Sequence, residues 1–448
     1  MSTIINNFVP SDITTNFSGN MMIVSNCMSN SNTGIVNIYN YNEVSNAWSS
    51  PVILNGPFTN SFFGQSIDVD WDGTRIAVGA NAAANVYLYD YDATISTWVN
   101  SNVIQSAIGS DFGYSLSISK DTGEILAVGA PQHNNVYIYE MTSENVWTVS
   151  NVLNGSQIQN IIGYDANQNL ILNSNYNRYG ENIKLSGFGD YIVVGQPGAL
   201  LSNIFSADAT NFQIVDSGQK EVDGSVSMAG LYTYEYYNYF YYPMFRQEGS
   251  VQVFKTNDNW QLSNTQVGST LYGERNCLIT DATRYGSGGW SPSGFGLNVK
   301  ISLDGSLIAI GAPLFSINGG EYETHNGKIY TYYYDSLNQE WELKNDTTGD
   351  RQGLYGLSFD LDYEGTRIAT VPRNNRFGTS LNVLDWNGTD WYDVTPAQYF
   401  YNILSYKDFS KLVITNGKIV YLYENNKITK YNFTLTQNFE GNSLFYGY

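Results

Sequence analysis

The chain has 448 residues, with 41 acidic side chains against 21 basic ones and a formal net charge of -20. This charge disfavours nucleic acid and anionic membrane surfaces as partners, because both require a basic footprint on the protein. The sequence has no apolar stretch of about 20 residues, so we expect no membrane-inserted segment. Hydrophobic residues make up 42% of the chain and aromatic residues 15%, which predicts a large core and excludes a disordered chain.

The N-terminal segment and the few cysteines and histidines narrow the functional classes further. Residues 1–7 contain no basic region followed by an apolar one, so we expect no secretory signal and synthesis in the cytoplasm. Two cysteines, Cys27 and Cys277, are too few for a disulfide scaffold. His133 and His325 have neither a nucleophile nor zinc-ligand spacing beside them, and no phosphate loop is present. The sequence therefore predicts no catalytic residue, no metal and no cofactor.

One unit recurs along the chain. It consists of an aromatic–Gly pair, an apolar run ending in Gly, a Val/Tyr run with period-two alternation, and a Trp. The first and last copies, near residues 19–48 and 411–428, are degenerate. The runs are rich in Val, Ile and Tyr and are separated by Gly, Asn and Asp, which is typical of strands and turns. The aromatic–Gly pairs of the other copies are Phe63-Gly64, Phe112-Gly113, Tyr179-Gly180, Phe295-Gly296 and Tyr355-Gly356.

Seven copies of a four-stranded unit predict an all-β fold, a seven-bladed β-propeller with four-stranded antiparallel blades that forms a single domain over residues 1–448. No window has a sustained period of 3.6 residues, so we expect almost no helix. Asp72-Gly73 and Asp304-Gly305 predict tight turns between consecutive strands, because Gly accepts positive φ. The recurring Trp residues are expected on the outer strands, in the wide space between blades: Trp48, Trp98, Trp147, Trp260, Trp341 and Trp391.

The Phe-Gly pair, the later Gly-Ala-Pro and the Val/Tyr strand that follows resemble the FG-GAP repeat, which builds the seven-bladed propeller of integrin α subunits. Two clear copies pair Phe112-Gly113 with Gly129-Ala130-Pro131, and Phe295-Gly296 with Gly311-Ala312-Pro313. The resemblance covers roughly residues 12–445. It implies a propeller with a role in adhesion or scaffolding, and no single activity, because propellers host many.

Integrin-type repeats often carry a calcium loop, and two acidic turns are similar to its first half. They are Asp68, Asp70 and Asp72 before Gly73, and Asp360, Asp362 and Glu364 before Gly365. The closing acidic ligand of the loop is absent, and Arg75 and Arg367 stand in its place, where they would compete with calcium. We therefore expect solvated turns with local arginine pairing and no metal site.

A propeller must close its ring or expose unpaired strand edges. Two routes to closure are visible in the sequence. The N-terminal run, residues 3–8, would complete the last blade. The C-terminal run, residues 439–444, echoes residues 62–67 and would supply the inner strand of the first blade. We expect the two termini to meet in this way.

The fourth repeat carries a long insertion, residues 198–249, that is rich in tyrosine. A loop of this length is usually functional or disordered, and its aromatic content argues against disorder. It either packs its own rings or forms a contact surface, since Tyr is enriched at interfaces. The candidate partner-binding residues are Tyr232, Tyr234, Tyr236, Tyr239 and Tyr241, with Trp290 on the same rim.

The leading functional hypothesis is a non-enzymatic structural or recognition protein of a virion or cell surface. It would bind a protein partner or a surface glycan and take part in a larger particle. The abundant Asn and Tyr, the low Cys content and the absence of a catalytic set favour this interpretation. Two alternatives remain open. One is a glycan-binding propeller that uses rim aromatics, and the other is a hydrolase or lyase with carboxylates on the axis, whose separation decides such chemistry.

Overall fold

A computed structural model describes most of the repeat region. The described residues are 3–5, 10–106, 109, 111–143, 145–155, 160–164, 170–173, 178–197, 249–256, 260, 265–274, 293–315, 326–349, 354–371, 381–395, 411–414, 419–424 and 427–432. Within these ranges the only helical segments are single turns at Ser29–Asn32 and Asn81–Ala83, which confirms the prediction of almost no helix. No helix in this part of the chain is long and apolar enough to cross a membrane.

The first three blades are antiparallel sheets in which consecutive strands pair. A strand β1 (Thr3–Ile5) precedes them. Blade 1 contains β2 (Asp12–Thr15), β3 (Met21–Asn26), β4 (Ile35–Asn42), β5 (Ala47–Trp48) and β6 (Val52–Asn55). Blade 2 contains β7 (Phe63–Val69), β8 (Arg75–Ala80), β9 (Asn85–Asp92) and β10 (Thr97–Gln105). Blade 3 contains β11 (Ser115–Ile118), β12 (Ile125–Ala130), β13 (Asn135–Ser143) and β14 (Val146–Asn154).

A separate hairpin of β15 (Asn160–Tyr164) and β16 (Leu170–Asn173) comes next. The following three blades repeat the pattern. Blade 4 contains β17 (Asn182–Leu185), β18 (Tyr191–Gln196), β19 (Ser250–Lys255), β20 (Thr265–Gln266) and β21 (Leu271–Tyr272). Blade 5 contains β22 (Asn298–Ile301), β23 (Leu307–Ala312), β24 (Lys328–Asp335) and β25 (Glu340–Thr348). Blade 6 contains β26 (Phe359–Leu361), β27 (Arg367–Thr370), β28 (Asn382–Trp386) and β29 (Trp391–Asp393).

Six blades are thus described with their side chains, one fewer than the seven that the repeats predict. The last repeat supplies three further strands, β30 (Lys411–Ile414), β31 (Ile419–Glu424) and β32 (Lys427–Asn432), which form a sheet with the N-terminal strand β1. β1 pairs antiparallel with β32, so the predicted pairing of the N-terminal run with the last repeat is confirmed. The other route is wrong in one respect, because Asp12–Thr15 holds the inner position of blade 1 that was predicted for the C-terminal run. Residues 439–444 themselves lie outside the described residues.

The first strand of each blade lies innermost, and these inner strands contact one another in chain order from β2 to β30. The hydrophobic core is a series of layers between neighbouring blades. One layer joins blade 1 to blade 2 through Val36, Phe63 and Val78. The last layer places Val413 of β30 against Ile13 and its neighbours in blade 1. Packing therefore runs from blade to blade around an axis lined by the inner strands.

The spacing of the repeat motif has a packing reason. A Cβ added to Gly79 would lie 2.2 Å from the carbonyl oxygen of Gly113 in the next blade. The same approach joins Gly129 to Gly180, at 2.3 Å. The Gly of one blade's second strand must therefore lack a side chain because the aromatic–Gly segment of the next blade occupies that space.

The tryptophans fill the space between outer strands as predicted. Trp98 and Trp341 lie on the outermost strands of their blades and are buried. Trp341 donates its indole N–H to the carbonyl of Val267 in blade 4, at 2.9 Å. Trp260 departs from the pattern, because it lies between β19 and β20 and not on a strand, yet it is completely buried.

Candidate functional site

The axis of the ring is lined by polar side chains of the inner strands. An inner strand is a sheet edge with backbone N–H groups that no fifth strand satisfies. In four successive pairs of blades, a polar side chain of one inner strand accepts such an N–H from the next inner strand. The bonds are Ile67 N–H to Asp12 (3.0 Å), Ile118 N–H to Asp68 (3.1 Å), Leu185 N–H to Ser117 (3.2 Å) and Val299 N–H to Asn182 (3.1 Å).

Asp68 lies at the centre of this network. Its carboxylate accepts hydrogen bonds from the ammonium groups of Lys120 at 2.5 Å and Lys184 at 3.0 Å. The Ser117 hydroxyl donates to it at 3.1 Å, and the Thr14 hydroxyl at 3.4 Å. The side chain of Asp68 is only 1% exposed and that of Lys120 only 8%. One carboxylate therefore links side chains of blades 1 to 4.

These contacts determine how the charges titrate. Burial alone would raise the pKa of Asp68, but the ammonium groups of Lys120 and Lys184 outweigh it and hold this pKa far below its usual range. Burial lowers the pKa of Lys120 to about 8, an effect that Asp68 opposes and the Lys184 charge reinforces. Asp68 is therefore ionised throughout the physiological range and is neutralised within the protein.

A second ion pair lies further around the axis. Lys300 of β22 contacts Asp360 of β26, with Nζ 3.0 Å from Oδ1. Both side chains are mostly buried. Two axial carboxylates, Asp68 and Asp360, are thus joined to lysine, and a third, Asp12, accepts the Ile67 N–H. Asp68 and Asp360 are therefore not placed as two free carboxyl groups flanking a substrate bond, the arrangement usual in glycosidases.

The turns between first and second strands close one face of the ring, which we call the turn face. Backbone hydrogen bonds run from blade to blade across these turns. They are Phe17 N–H to Trp71 (3.1 Å), Trp71 N–H to Lys120 (2.6 Å), Lys120 N–H to Gly187 (2.7 Å), Gly187 N–H to Leu303 (2.9 Å) and Leu303 N–H to Tyr363 (2.8 Å). Such a continuous chain of bonds draws the turns close together around the axis.

Three aromatic rings from this chain of turns meet over the axis. The ring centroids of Phe17 and Trp71 are 4.2 Å apart, and Tyr363 stacks parallel to Trp71 at 6.0 Å. Burial raises the pKa of the Tyr363 phenol, and the nearby carboxylates Asp68 and Asp360 raise it further. The aromatic cluster therefore covers the charged network from the turn face.

The two acidic turns are solvated only in part, because Asp72 and Glu364 are exposed whereas the other acidic residues are buried. Asp70 and Asp362 are 6% and 4% exposed. The Asp70 carboxylate accepts the backbone N–H groups of Thr74 and Arg75 and the Thr74 hydroxyl, at 2.8–3.1 Å. Asp362 accepts the same three donors from Thr366 and Arg367. Both carboxylates are therefore used to hold their turns. Within the described residues no group of three His, Cys, Asp or Glu side chains could hold a metal ion.

The arginines that replace the calcium ligand pair with the third strand of their own blade. Arg75 forms a bidentate pair with Asp90 of β9, at 2.7 and 3.2 Å. Arg367 forms the equivalent pair with Asp385 of β28. Local arginine pairing was expected, and the partner is the third-strand aspartate. These pairs fasten the second strand to the third at the turn face.

The opposite face, which we call the loop face, carries the connections from second to third strand and from one blade to the next. Here Tyr114 donates its hydroxyl to Glu181 at 3.1 Å, and Arg178 pairs with the same carboxylate. Burial raises the pKa of Asp111, whose Oδ2 accepts the Gln132 N–H at 2.5 Å. The cluster joins loops of neighbouring blades. The exposed loop residue His133 lies nearby, as expected.

The predicted partner-binding residues Tyr232, Tyr234, Tyr236, Tyr239, Tyr241 and Trp290 lie outside the described residues, as do Cys277 and His325. The neighbouring described strands show where the segments that contain these residues begin and end. Gln196 of β18 pairs with Ser250 of β19, so the insertion over residues 198–249 leaves and rejoins blade 4 at the loop face. Residues 275–292 connect blade 4 to blade 5, which also places their ends at the loop face. Cys27 is buried beside Ser11 and Gln65.

Sequence reasoning did not identify the axial network. Its members lie on strands, and a polar residue that alternates with apolar ones along a strand is normally predicted to face solvent. The one available signal was charge inside otherwise apolar inner strands, as in Lys184 and Lys300. The hairpin β15–β16 was also missed, because its short apolar runs carry no copy of the repeat motif.

Comparison with known proteins supports the fold alone. No protein-family model and no curated protein matches the chain. The β-propeller domain of Cps50 (Swd1) from Myceliophteria thermophila is 10% identical and covers 96% of this chain and 100% of its own, with a TM-score of 0.52. Hydrazine synthase of Kuenenia stuttgartiensis is 12% identical over 95% of this chain and 96% of its own, with a TM-score of 0.50. A periplasmic gluconolactonase of Pseudomonas aeruginosa is 11% identical over 86% of this chain and 84% of its own, with a TM-score of 0.47. At these identities the chain is similar to propellers of diverse function.

Proposed function

We propose that the protein is a non-catalytic structural or recognition scaffold of a virion or surface assembly, whose partner binds at the loop face. The observation that carries this proposal is the use of the axial polar groups. Asp68, Lys120 and Lys184 satisfy one another and the neighbouring backbone, and the aromatic cluster covers them at the turn face. Charges engaged in this way hold blades together and are not available to transform a substrate.

The same observation disfavours the hydrolase and lyase alternative. Most glycoside hydrolases use one carboxyl group as acid and another as base or nucleophile. Asp68 and Asp360 are instead paired with lysines. Partner contacts are then assigned to the two segments that emerge at the loop face. These are the Tyr-rich insertion and the segment containing Trp290.

We further propose that the ring has seven blades, with the sheet of β1 and β30–β32 as the seventh. Its inner strand β30 contacts β26 of blade 6 and β2 of blade 1. Its Val413 packs in the core layer of blade 1. The N-terminal strand would then close the ring by hydrogen bonding to β32.

The experiment replaces residues 198–249 by a short Gly-Ser linker that joins β18 to β19. Because these strands pair next to the insertion, the ring is expected to keep its melting temperature within a few degrees. Co-sedimentation with virus particles, or with surface assemblies of the source cells, is expected to be lost. Co-sedimentation that persists in the folded variant would contradict the assignment of the partner surface. Failure of the intact protein to co-purify with any particle would overturn the structural role.

A second candidate, glycan binding, has one observation in its favour. Cross-strand aromatic pairs recur at the outer hairpins of the turn face: Tyr41 with Trp48, Tyr91 with Trp98, Tyr334 with Trp341, and Trp386 with Trp391. Tyr91 is 42% exposed and could stack on a sugar ring. A glycan array distinguishes the candidates. The glycan-binding candidate would be favoured if Tyr91→Ser abolishes glycan binding and deletion of the insertion leaves it intact.

A further inference from the structure

The outer strands of the blades differ in length and charge. β10, β14 and β25 each span nine residues, whereas the outer strands of blades 1 and 4 are split and that of blade 6 has three residues. Long exposed edges invite pairing with another strand, and proteins usually protect them with charged side chains. β25 follows that rule, with Glu340, Glu342, Lys344 and Asp346. β10 and β14 carry no charged residue at all.

Strand β10 is open along its outer edge. In the described part of the chain it pairs only with β9. Trp98 and Ile104 face the core, while Val99 and Val103 are 41% and 44% exposed. The amide of Asn102 donates to the Asn145 carbonyl of blade 3 at 2.5 Å. This strand therefore presents unpaired backbone groups beside two exposed valines.

The sequence of this edge is the same in both directions. Val99-Asn100-Ser101-Asn102-Val103 is a palindrome centred on Ser101. If two copies of the strand pair antiparallel about Ser101, each Val99 lies opposite the other copy's Val103. Asn100 then lies opposite Asn102. In a two-fold interface each contact from residue i to residue j is repeated from j to i, and the palindrome makes these contacts Val with Val and Asn with Asn.

Outside the palindrome the same register pairs residues of similar polarity but different type. Trp98 would lie opposite Ile104, and Thr97 opposite Gln105. A bulge between Asn100 and Asn102 takes Ser101 out of the ladder with β9 and leaves an arm of equal length on either side. β14 lacks this symmetry, since pairing about Ser150 would set Val149 against Asn151. β14 is therefore a matched control, a neighbouring strand with the same length and absence of charge.

We propose that β10 is a two-fold interface through which a second copy of this chain adds its own β10, edge to edge. The protein already uses the geometry of strand addition, because β1 joins the outer edge of the terminal sheet by antiparallel pairing with β32. This interface is separate from the partner surface assigned to the loop face, and neither depends on the other.

Sedimentation velocity over a dilution series tests the interface. The intact chain is expected to rise from 50.0 kDa towards twice that mass with concentration. Val103→Lys places a like charge on both copies and is expected to weaken dimerisation at least about 10-fold. Val149→Lys in β14, at a site 49% exposed, is expected to leave it unchanged. Thermal melts establish that both variants are folded.

Cross-linking provides an independent readout. Directly opposed residues of antiparallel strands have Cα atoms about 4.5–5.5 Å apart, which suits a disulfide. Ser101→Cys is therefore expected to form a disulfide-linked dimer on oxidation, and Ser150→Cys is not. The parent chain, oxidised in the same way, measures any cross-linking through its own two cysteines. A chain that stays at 50.0 kDa up to about 1 mM would overturn the proposal. Equal disruption by Val149→Lys, or equal cross-linking through Ser150→Cys, would overturn it as well.

Discussion

Replacement of Asp68 by asparagine should destabilise the ring without altering its surface. The variant keeps the size of the side chain but removes the charge that neutralises Lys120 and Lys184. Lys120 has an 8% exposed side chain, so its ammonium would be left buried beside a second positive charge. Breaking a buried pair by removing one partner typically costs about 3–5 kcal/mol. We expect a loss of this size in the free energy of unfolding.

The corresponding change in melting temperature is small because the chain is long. An unfolding entropy of about 2.1 cal/mol/K per residue gives about 0.9 kcal/mol/K for a chain of 448 residues. The melting temperature should then fall by about 3–5 °C, measured by scanning calorimetry. Asp121→Asn, in an exposed turn next to Lys120, is the matched control and should change it by less than about 1 °C. If Asp68→Asn melts with the control, the axial network does not stabilise the ring as argued.

The pH dependence of the same contribution has a definite sign. The pKa of Asp68 is lower in the folded protein than in the unfolded chain. Protonation of this carboxylate therefore favours the unfolded chain. Its stabilising contribution is complete above the unfolded pKa, near about 3.9, and is lost as the pH falls below that value. Between about pH 7 and pH 3 the stability difference between the parent and Asp68→Asn should therefore shrink. A difference that stays constant in this range would contradict the charge argument.

Three further predictions concern the blades. Gly79→Ala should cost about 1–3 kcal/mol by overpacking, because its Cβ would lie 2.2 Å from the Gly113 carbonyl, and chemical denaturation would measure it. Deletion of residues 1–9 removes β1 and exposes the edge of β32, so the melting temperature should fall and aggregation on size exclusion should increase; unchanged melting would show that β1 does not close the sheet. Millimolar calcium should leave the melting temperature unchanged, because Asp70 and Asp362 each accept three hydrogen bonds within their turns; a calcium-dependent rise lost in Asp70→Asn would contradict this.

The blades could be predicted from the sequence because each structural requirement is marked by a particular residue type. Gly73, at φ 74°, and Gly305, also at φ 74°, mark turns between first and second strands where a side chain would strain the backbone. Gly79 marks a contact between blades, and Trp341 marks the space between outer strands. These requirements are local or repeat at a fixed spacing, so a pattern in one chain reveals them.

The axial network could not be predicted in the same way because it depends on which blades meet. Lys184 reaches Asp68 across two blades, and the two residues are separated by 116 positions in the chain. Nothing in either repeat identifies the other as its partner. The burial of Asp70 was missed for a related reason. The sequence predicted a solvated turn, whereas the Asp70 oxygens accept hydrogen bonds from Thr74 and Arg75 within the turn.

The ion pairs bear on the net negative charge. Arg75, Lys120, Lys184, Lys300, Lys328 and Arg367 are all paired with carboxylates. These pairs neutralise one another, so the net charge of -20 comes from the other charged residues of the chain. Two copies that both carry this charge repel, and an edge without charged residues, such as β10, adds least to that repulsion. Dimerisation through β10 should then strengthen as salt rises, because a Debye length of about 10 Å at 0.1 M shortens to about 3 Å at 1 M. An interface held by ion pairs would weaken under the same change.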